Sequence, residues 1–560
     1  MRRKRNEQLD GLRARCTELE NHYIDELVAG DLSRRDFLRR GSIIGMSVPF
    51  MGAVLGATDP ASALAAPRAR TAAAKPKSGG TMRIAIQAPS AAVNPLTVAD
   101  AGGLCMLNQT GEFLVFDNNL KLALQPMLAL SWKASHNATV WTFKLRTGVK
   151  FSNGKPMTAD DVVYTFQQLS NPANASNALS VFKGILSPSG VRKVNSHTVA
   201  FHLEAPNGNF PYLVSSDNYN AIIVPKGTNF KTWQHSFVGT GAFKMTSYTQ
   251  GVGATFTRNP HYWGSMPYLK GTSFKFFQSQ APQVLALEGS AVDVIGQITP
   301  FGATQLLHNP AYSVIRLKSS NHRELSMRTD QAPFTDARVR QAVAWTLNRH
   351  QMVEALLAGY GLVANDYPFA PSFPSTVPMT QRTRNIAKAK QLLAAAGHSK
   401  GISATLQTET YEEISQLAQV IKQNAAAAGI NITLNIQNQT AYYGTTFGSS
   451  PWLDGTLSLV DYGSRGVPNV FLNAPLVSNG AWNAARFADP TYDHLARQYF
   501  ATSDLKSQRK IATKIETLLL QQTPIIYPYW IDGLTVSTKR VHGLNPTSIA
   551  QLYLNTAYFS

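Results

Sequence analysis

The sequence has few of the residues on which covalent catalysis and metal binding most often depend. Only two of its 560 residues are cysteines, and its twelve histidines show no metal-ligand spacing. The His-Glu-x-x-His, Gly-x-Ser-x-Gly and Walker A motifs are absent. The sequence therefore indicates no catalytic residue, no metal site and no cofactor, and we do not expect an enzyme.

Long apolar runs are also missing from the body of the chain. Apolar residues make up 44% of the sequence, which is enough for two or three lobes with cores of their own. No run after residue 66 approaches the roughly 20 apolar residues that span a bilayer. We therefore expect the body to be globular.

The first 66 residues predict an export signal that takes no part in the fold. Residues 33–38, Ser-Arg-Arg-Asp-Phe-Leu, match the twin-arginine export motif. The weakly apolar residues 41–57 follow and are too few for a stable membrane anchor. Residues 61–66 are small and offer cleavage sites. Because no cysteine follows the apolar stretch, we expect no lipid anchor and a protein that is free in the periplasm.

Positive charge exceeds negative charge, with 52 lysines and arginines against 33 aspartates and glutamates, a formal net charge of +19. Such an excess is compatible with binding to nucleic acid or an anionic membrane. The basic residues are spread out, however, and export would separate the protein from nucleic acid. We therefore expect a solvated basic surface that favours an acidic partner or ligand. Only Cys105 would remain after processing, so no intrachain disulfide can form.

Local patterns predict several elements. Residues 140–146 alternate between apolar and polar side chains, which predicts a half-buried strand, and we expect a short helix at residues 125–130 before it. Residues 158–161, Thr-Ala-Asp-Asp, predict a capping box that opens a helix. Helical periodicity and capping residues predict one helix between residues 336 and 359. Residues 402–436 predict a β-α-β unit with parallel strands.

A longer motif surrounds the predicted strand at residues 140–146. Its matching positions are Pro126, Leu128, Ala129, Trp132, Trp141, Thr142, Phe143, Leu145, Arg146, Gly148, Val149, Phe151, Asn153, Gly154, Pro156, Thr158, Ala159, Asp161 and Val162. This motif resembles that of family 5 of the extracytoplasmic solute-binding proteins, which serve peptide, dipeptide, oligopeptide and nickel ABC importers. Residues 336–348 and 239–243 resemble the same family, although Ala242 replaces its usual proline.

The resemblance covers nearly the whole chain after residue 79. It implies an α/β fold of the periplasmic-binding-protein type II-like class, with three lobes and a ligand cleft between lobes I and III. The implied division is a twin-arginine signal peptide at 1–66, a flexible lead at 67–78, lobe I at 79–115, 228–312 and 524–560, lobe II at 116–227, and lobe III at 313–523.

Asp461, followed by Tyr462, is the best candidate for a ligand-binding residue. Peptide-binding members of the family carry Trp-x-Ala-Asp-Tyr at this position, and the resemblance implies that the aspartate pairs with the α-amino group of a peptide. Such a charge-assisted bond is strong where lobe closure removes water. Here Ser458 and Val460 replace the tryptophan and alanine of the family motif.

The carboxylate end of a ligand has no equally clear partner in the sequence. Residues 440–458 contain no basic side chain, whereas family members place arginines in this region. Arg465 could replace them, or it could face solvent as an ordinary loop residue. Tyr443 and Trp452 could stack on a ligand, although packing in the core explains them equally well.

These features together favour a monomeric periplasmic substrate-binding protein of an ABC importer. It would capture a small peptide or peptide-like solute by hinge closure and deliver it to a permease–ATPase complex in the inner membrane. One alternative is the same fold binding an opine, a nickel chelate, glutathione or an oligosaccharide. A second alternative is an enzyme that folds around a cofactor before twin-arginine export, against which the absence of a cofactor motif argues.

Overall fold

The computed structural model describes residues 9–58, apart from 14, 15, 17, 31 and 45, and residues 76–560, apart from 90, 91, 119–122, 445–447 and 503. The predicted cleavage run at 61–66 and most of the predicted flexible lead lie outside the described residues. Within those ranges, no helix is both long and apolar enough to cross a bilayer.

The strands fall mainly into one large and one small sheet. In chain order they are β1 (Thr81–Gln87), β2 (Val115–Asn118), β3 (Ala123–Pro126), β4 (Ala129–Ala134), β5 (Val140–Leu145), β6 (Val191–Asn195), β7 (Thr198–His202), β8 (Phe243–Thr249), β9 (Gly253–Arg258), β10 (Gly271–Phe277), β11 (Val294–Ile298), β12 (Tyr312–Met327), β13 (Gly361–Val363), β14 (Ile402–Glu409), β15 (Ile430–Gln437), β16 (Leu457–Tyr462), β17 (Ile525–Ile526), β18 (Tyr529–Thr538), β19 (Val541–His542), β20 (Asn545–Pro546), β21 (Leu552–Tyr553) and β22 (Tyr558–Phe559).

The helices cover the faces and ends of these sheets. They are α1 (Glu18–Ala29), α2 (Arg34–Ile43), α3 (Val48–Thr58), α4 (Ala101–Thr110), α5 (Ala159–Ser170), α6 (Leu179–Phe182), α7 (Phe210–Leu213), α8 (Gln280–Glu288), α9 (Pro300–Ala303), α10 (Ala337–Thr346), α11 (Arg349–Leu357), α12 (Ile386–Ala395), α13 (Ile414–Ala426), α14 (Gln439–Tyr442), α15 (Pro451–Asp454), α16 (Asn469–Asn473), α17 (Pro490–Ala501) and α18 (Leu505–Gln522).

The large sheet has the order β15–β14–β16–β12–β18–β11–β1–β10–β9–β8, with β13 and β17 paired to β18 and β12. Strands β14 and β15 are parallel and are joined through α13, which confirms the predicted β-α-β unit. Their connection has to cross over the sheet because parallel neighbours cannot be joined by a tight turn. The chain is thus an α/β protein with several lobes, as the sequence predicts.

The small sheet, β4–β5–β7–β6, has an aromatic face. Trp141 and Phe143 point into the core, and the Phe143 ring lies 5.4 Å from that of Phe201 in an edge-to-face arrangement. Helix α5 covers this sheet and begins with the predicted capping box, in which the Thr158 amide donates to the Asp161 carboxylate at 2.8 Å. The alternation seen in the sequence therefore identifies the buried face correctly.

Strands β12 and β18 link the two halves of the large sheet. They pair from Tyr312 and Thr538 to Leu317 and Gly533, and they pair again from Asn321 and Ile531. Residues 318–320 lie between the two paired segments and interrupt the ladder. Since β12 and β18 stand between the β1 side and the β14 side of the sheet, this interruption lies at the junction of the two halves.

Helices α1, α2 and α3 pack on the body of the protein. Their apolar residues form a small core that includes Leu505 of α18. The Leu124 amide of β3 donates to Ser42 Oγ at 2.8 Å, and Trp132 Nε1 donates to the Ile43 carbonyl at 3.1 Å. The twin-arginine signal and its removal remain predictions; in the full-length chain the helices of this segment lie against the body.

Two local predictions need correction. Residues 125–130 are not a helix: they belong to β3, a turn and β4, because β3 finds backbone partners in β2. The helix predicted between residues 336 and 359 is two helices, α10 and α11, separated at Leu347 and Asn348. Asn348 caps the second helix with its side chain, which accepts from the Gln351 amide.

Candidate functional site

Two parallel strands bring carboxylates to one edge of the large sheet. Strands β14 and β16 pair at Leu406 with Leu457 and at Gln407 with Ser458. Glu409 ends β14, and Asp461 lies one residue before the end of β16. Ligands of open α/β sheets bind beyond the carboxyl ends of such strands. The predicted residue Asp461 therefore lies where this architecture places a ligand.

Tyr443 connects the two carboxylates. Its hydroxyl oxygen lies 2.6 Å from Glu409 Oε1 and 2.6 Å from Asp461 Oδ1. A phenol has one hydrogen, so two such contacts require a proton on one of the carboxyl groups. Burial and, after it, the negative charge of Asp461 together raise the pKa of Glu409 to about 9. The Tyr443 hydroxyl thus links Glu409, the more deeply buried of the two carboxyl groups, to the partly exposed Asp461.

Arg323 neutralises part of the same cluster. It lies on β12 opposite Asp461, is 1% exposed, and donates through Nε and Nη2 to both oxygens of Glu413 at 2.9 Å. Its Nη2 also donates to Glu412 at 2.7 Å. Tyr529 donates to Glu413 at 2.9 Å. Glu413 is therefore fully partnered, whereas Arg323 is shared between two carboxylates.

The cluster has more carboxyl groups than cations. Glu409, Glu412, Glu413 and Asp461 surround the single guanidinium of Arg323. Burial raises the pKa of Glu412 to about 7, although the charge of Arg323 opposes this shift. Asp461 keeps partial exposure while Glu409 is fully buried. The site therefore favours a cationic group that approaches Asp461.

The cluster also meets the other half of the sheet. Gln280, at the start of α8, donates to Glu412 at 3.3 Å and accepts from Thr299 at 2.7 Å. Helix α8 precedes β11, whereas Glu412 follows β14. The acidic cluster consequently contacts both halves of the sheet, at the boundary where the resemblance implies the ligand cleft.

Arg465 lies deeper in this cleft than an ordinary loop arginine. It is 8% exposed, and its guanidinium lies 4.7 Å from the centre of the Tyr219 ring. Its amide donates to Ser320 Oγ at 2.7 Å. Its positive charge lowers the pKa of Asp217, a shift that burial outweighs. Arg465 therefore faces the wall that carries Asp217 rather than solvent.

Tyr462 and Trp452 are packing residues in this structure. Tyr462 is 6% exposed, and its ring stacks on that of His322 with a centroid distance of 5.5 Å. Trp452 donates to the Gly444 carbonyl at 2.7 Å and lies 5.7 Å from the Tyr443 ring. Trp452 thereby holds Tyr443 beside Asp461. Of the five predicted residues, the structure brings Asp461 and Tyr443 into direct contact.

The sequence did not point to the carboxylates that surround Asp461. Glu409, Glu412 and Glu413 lie within five residues directly after a strand of a predicted β-α-β unit. That position, at the carboxyl end of a parallel strand, is a signal that could have identified them. Arg323 offers no such signal, because it lies in the middle of a strand and meets the cluster only through sheet pairing.

Comparison with known proteins identifies the family. The family model "Bacterial extracellular solute-binding proteins, family 5 Middle" matches residues 123–476. The periplasmic murein peptide-binding protein MppA of Escherichia coli is 26% identical over 508 residues, covering 84% of this chain and 91% of the relative. The periplasmic oligopeptide-binding protein OppA of Haemophilus influenzae is 25% identical over 435 residues, covering 71% of this chain and 78% of the relative.

A solved structure shares the fold. The periplasmic binding protein DppA of Helicobacter pylori, in complex with the peptide STSA, superposes with a TM-score of 0.75 at 20% identity. The match covers 86% of this chain and 98% of the other. The motif, the fold and the match of the family model over most of the chain agree: this protein belongs to the bacterial extracellular solute-binding proteins of family 5.

Proposed function

We propose that this protein captures a small peptide or peptide-like solute outside the inner membrane and delivers it to an ABC permease–ATPase complex. It would work as a periplasmic monomer after twin-arginine export, with the lobe boundaries that the sequence predicts. The relatives named above are peptide-binding proteins, and the acidic cleft of this chain suits the ammonium end of a peptide. No covalent chemistry is needed for this role.

The contact between Tyr443 and Asp461 carries the proposal. Tyr443 fixes one oxygen of Asp461, and the partly exposed carboxylate can accept a further hydrogen bond from a ligand. The α-ammonium group of a peptide offers three hydrogen-bond donors and one positive charge. That charge would offset the excess of carboxyl groups over cations in the cluster. The contact of Gln280 with Glu412 supports an ammonium site at the meeting point of the two halves, where a ligand would favour the closed arrangement.

The test compares free and N-acetylated forms of the same tripeptides in a thermal-shift assay. Ligand at about 100 times its dissociation constant stabilises the folded state by roughly 2.7 kcal/mol. We expect this shift for free peptides with the wild type, a much smaller one with Asp461→Asn, and none for acetylated peptides. Asp330→Asn is the control, because Asp330 is exposed and pairs only with Arg328 among the described residues.

Equal shifts for free and acetylated peptides would contradict the role of Asp461. A non-peptide solute that stabilises the wild type and Asp461→Asn equally, with no response to any peptide, would contradict the proposed ligand class.

A further inference from the structure

An arginine of the N-terminal helices occupies a second acidic site in the cleft. Arg39 of α2 is 6% exposed, and its Nη1 donates to the Ser372 carbonyl at 2.7 Å. Its guanidinium carbon lies 5.8 Å from the centre of the Tyr212 ring and 5.7 Å from that of Phe373. The side chain therefore sits between two aromatic rings that belong to different parts of the sequence.

Two buried carboxylates face this guanidinium. Asp117 is 6% exposed and Asp217 is 7% exposed. Burial raises the pKa of Asp117 to about 6 and that of Asp217 to about 7, and the charge of Arg39 lowers both. Asp217 also accepts from the Gly466 amide at 2.6 Å. The positive charge of Arg39 therefore favours the ionised forms of two carboxyl groups that burial disfavours.

The fit of Arg39 is incomplete. Its Nε and the Tyr212 hydroxyl are both buried, and within the described part of the chain neither has a hydrogen bond of normal geometry beyond the interaction between the two groups themselves. The space left around Arg39, Arg465 and Asp117 has a volume of about 20 Å³, which holds about one water molecule. Helix α2 therefore fills the site without completing its hydrogen bonds, and a peptide could not enter beside Arg39.

Arg39 lies in the segment that the sequence predicts to be cut off after export. The four larger cores of the body draw on residues 82–557, with Ile43 as their only N-terminal member. The body therefore keeps its cores when residues 1–66 are removed. Of the other cations at this site, Lys318 pairs with Asp532 at 3.0 Å, which leaves Arg465 to offset both carboxylates.

We propose that, in the processed protein, the site formed by Asp117, Asp217 and Tyr212 binds a guanidinium or ammonium side chain of the ligand. This inference rests on the proposed function, since it concerns a side chain of the captured peptide. Arg39 marks the position of that group in the precursor. The protein would then select peptides that carry a basic residue, and the precursor would bind them weakly because its own arginine competes.

Arginine and citrulline provide a matched pair of ligands, because citrulline keeps the shape of arginine and lacks its charge. Isothermal titration of the chain from residue 67 would use tripeptides with a free amino group and either residue at the second or third position. We expect at least about tenfold tighter binding of the best arginine peptide than of its citrulline partner. Asp217→Asn should abolish this preference, and the surface control Asp330→Asn should keep it.

The full-length chain gives an independent measurement that does not require the shortened protein to fold. Arg39→Ala should bind the arginine peptide at least about tenfold more tightly than the full-length wild type. Arg34→Ala is the control, since Arg34 is an exposed arginine on the same helix, and it should leave the affinity unchanged.

Equal affinities for arginine and citrulline peptides, with clear binding of both, would overturn the basic-side-chain site and leave the Asp461 site intact. An arginine preference that survives Asp217→Asn would also overturn it. Failure of every peptide to bind would overturn this inference together with the proposed function.

Discussion

Peptide binding at Asp461 should release a proton from Glu409. In the unliganded protein the pKa of Glu409 is raised to about 9 by burial and by the charge of Asp461, so Glu409 is almost fully protonated at pH 7. An ammonium group bound to Asp461 places a positive charge near this carboxyl. The change favours the ionised form of Glu409, and a proton leaves.

The size of the effect follows from the geometry. The two 2.6 Å contacts of Tyr443 put the carboxylate oxygens of Glu409 and Asp461 within about 5 Å of each other. An ammonium group beyond Asp461 would then lie roughly 7 Å from Glu409. At an effective dielectric constant near 20, this is about 2.4 kcal/mol, or slightly under two pKa units. The pKa of Glu409 should fall to about 7, which corresponds to the release of roughly half a proton at pH 7.

Isothermal titration at pH 7 in buffers with different ionisation enthalpies measures this number. The peptide amine is itself about nine-tenths protonated at pH 7, so binding takes up roughly 0.1 proton. Glu409→Gln keeps the shape of the site and should show only that small uptake. The reasoning is refuted if the wild type and Glu409→Gln exchange the same number of protons with one peptide.

Three further predictions concern stability. Glu516 is 0% exposed, and burial raises its pKa to about 8 against an unfolded value near 4.5. The folded state therefore loses stability as pH rises from about 4.5 to about 8, and Glu516→Gln should gain roughly 1–3 kcal/mol at pH 8 and almost nothing at pH 4.5, measured by urea denaturation. Thr158→Ala removes one half of a capping box and should cost about 1 kcal/mol in the same assay. Asp366 binds both Arg349 at 2.6 Å and Arg382 at 2.7 Å, all three buried, and Asp366→Ala should cost about 3–5 kcal/mol because two guanidinium groups lose their shared partner. Full stability of the last variant would show that water replaces the carboxylate.

Periodicity alone predicted the elements whose hydrogen bonds are local or whose faces are clearly amphipathic. Strand β5, helix α5 and the β14–α13–β15 unit agree with the sequence because each has a regular pattern and an explicit start or turn. The error at residues 125–130 has the opposite cause. That segment has no strong alternation, and its strand exists because β2 offers it a partner. The break between α10 and α11 could have been predicted from Asn348, because asparagine is a favourable N-cap residue. The helical spacing of the apolar residues continues across this position and favoured a single helix instead.

The site residues also fall into two groups: those that the sequence predicts and those that only tertiary packing brings together. Asp461 was predicted from a resemblance in sequence, and Tyr443 was predicted as a stacking residue but serves as a hydrogen donor to Asp461. The sequence does not predict that Asp117 and Asp217 lie close together, because a hundred residues separate them. They come close because the Asp117 amide donates to Ser216 Oγ at 2.8 Å, which holds the two segments together. Contacts of this kind depend on tertiary packing, which no local pattern records.

The interruption of the ladder at residues 318–320 has a mechanical consequence. One side chain spans this gap, since Ser319 Oγ donates to the Ile531 carbonyl at 2.5 Å, whereas Ser320 Oγ donates to the Arg465 carbonyl at 2.8 Å in the loop after β16. This segment therefore lacks the regular backbone ladder that fixes the strands on either side of it. Ser320 Oγ also accepts from the Arg465 amide. The same hydroxyl group therefore belongs to the interrupted segment and contacts Arg465. A solute that displaces Arg465 would therefore act on the interrupted segment through the two hydrogen bonds between Arg465 and Ser320.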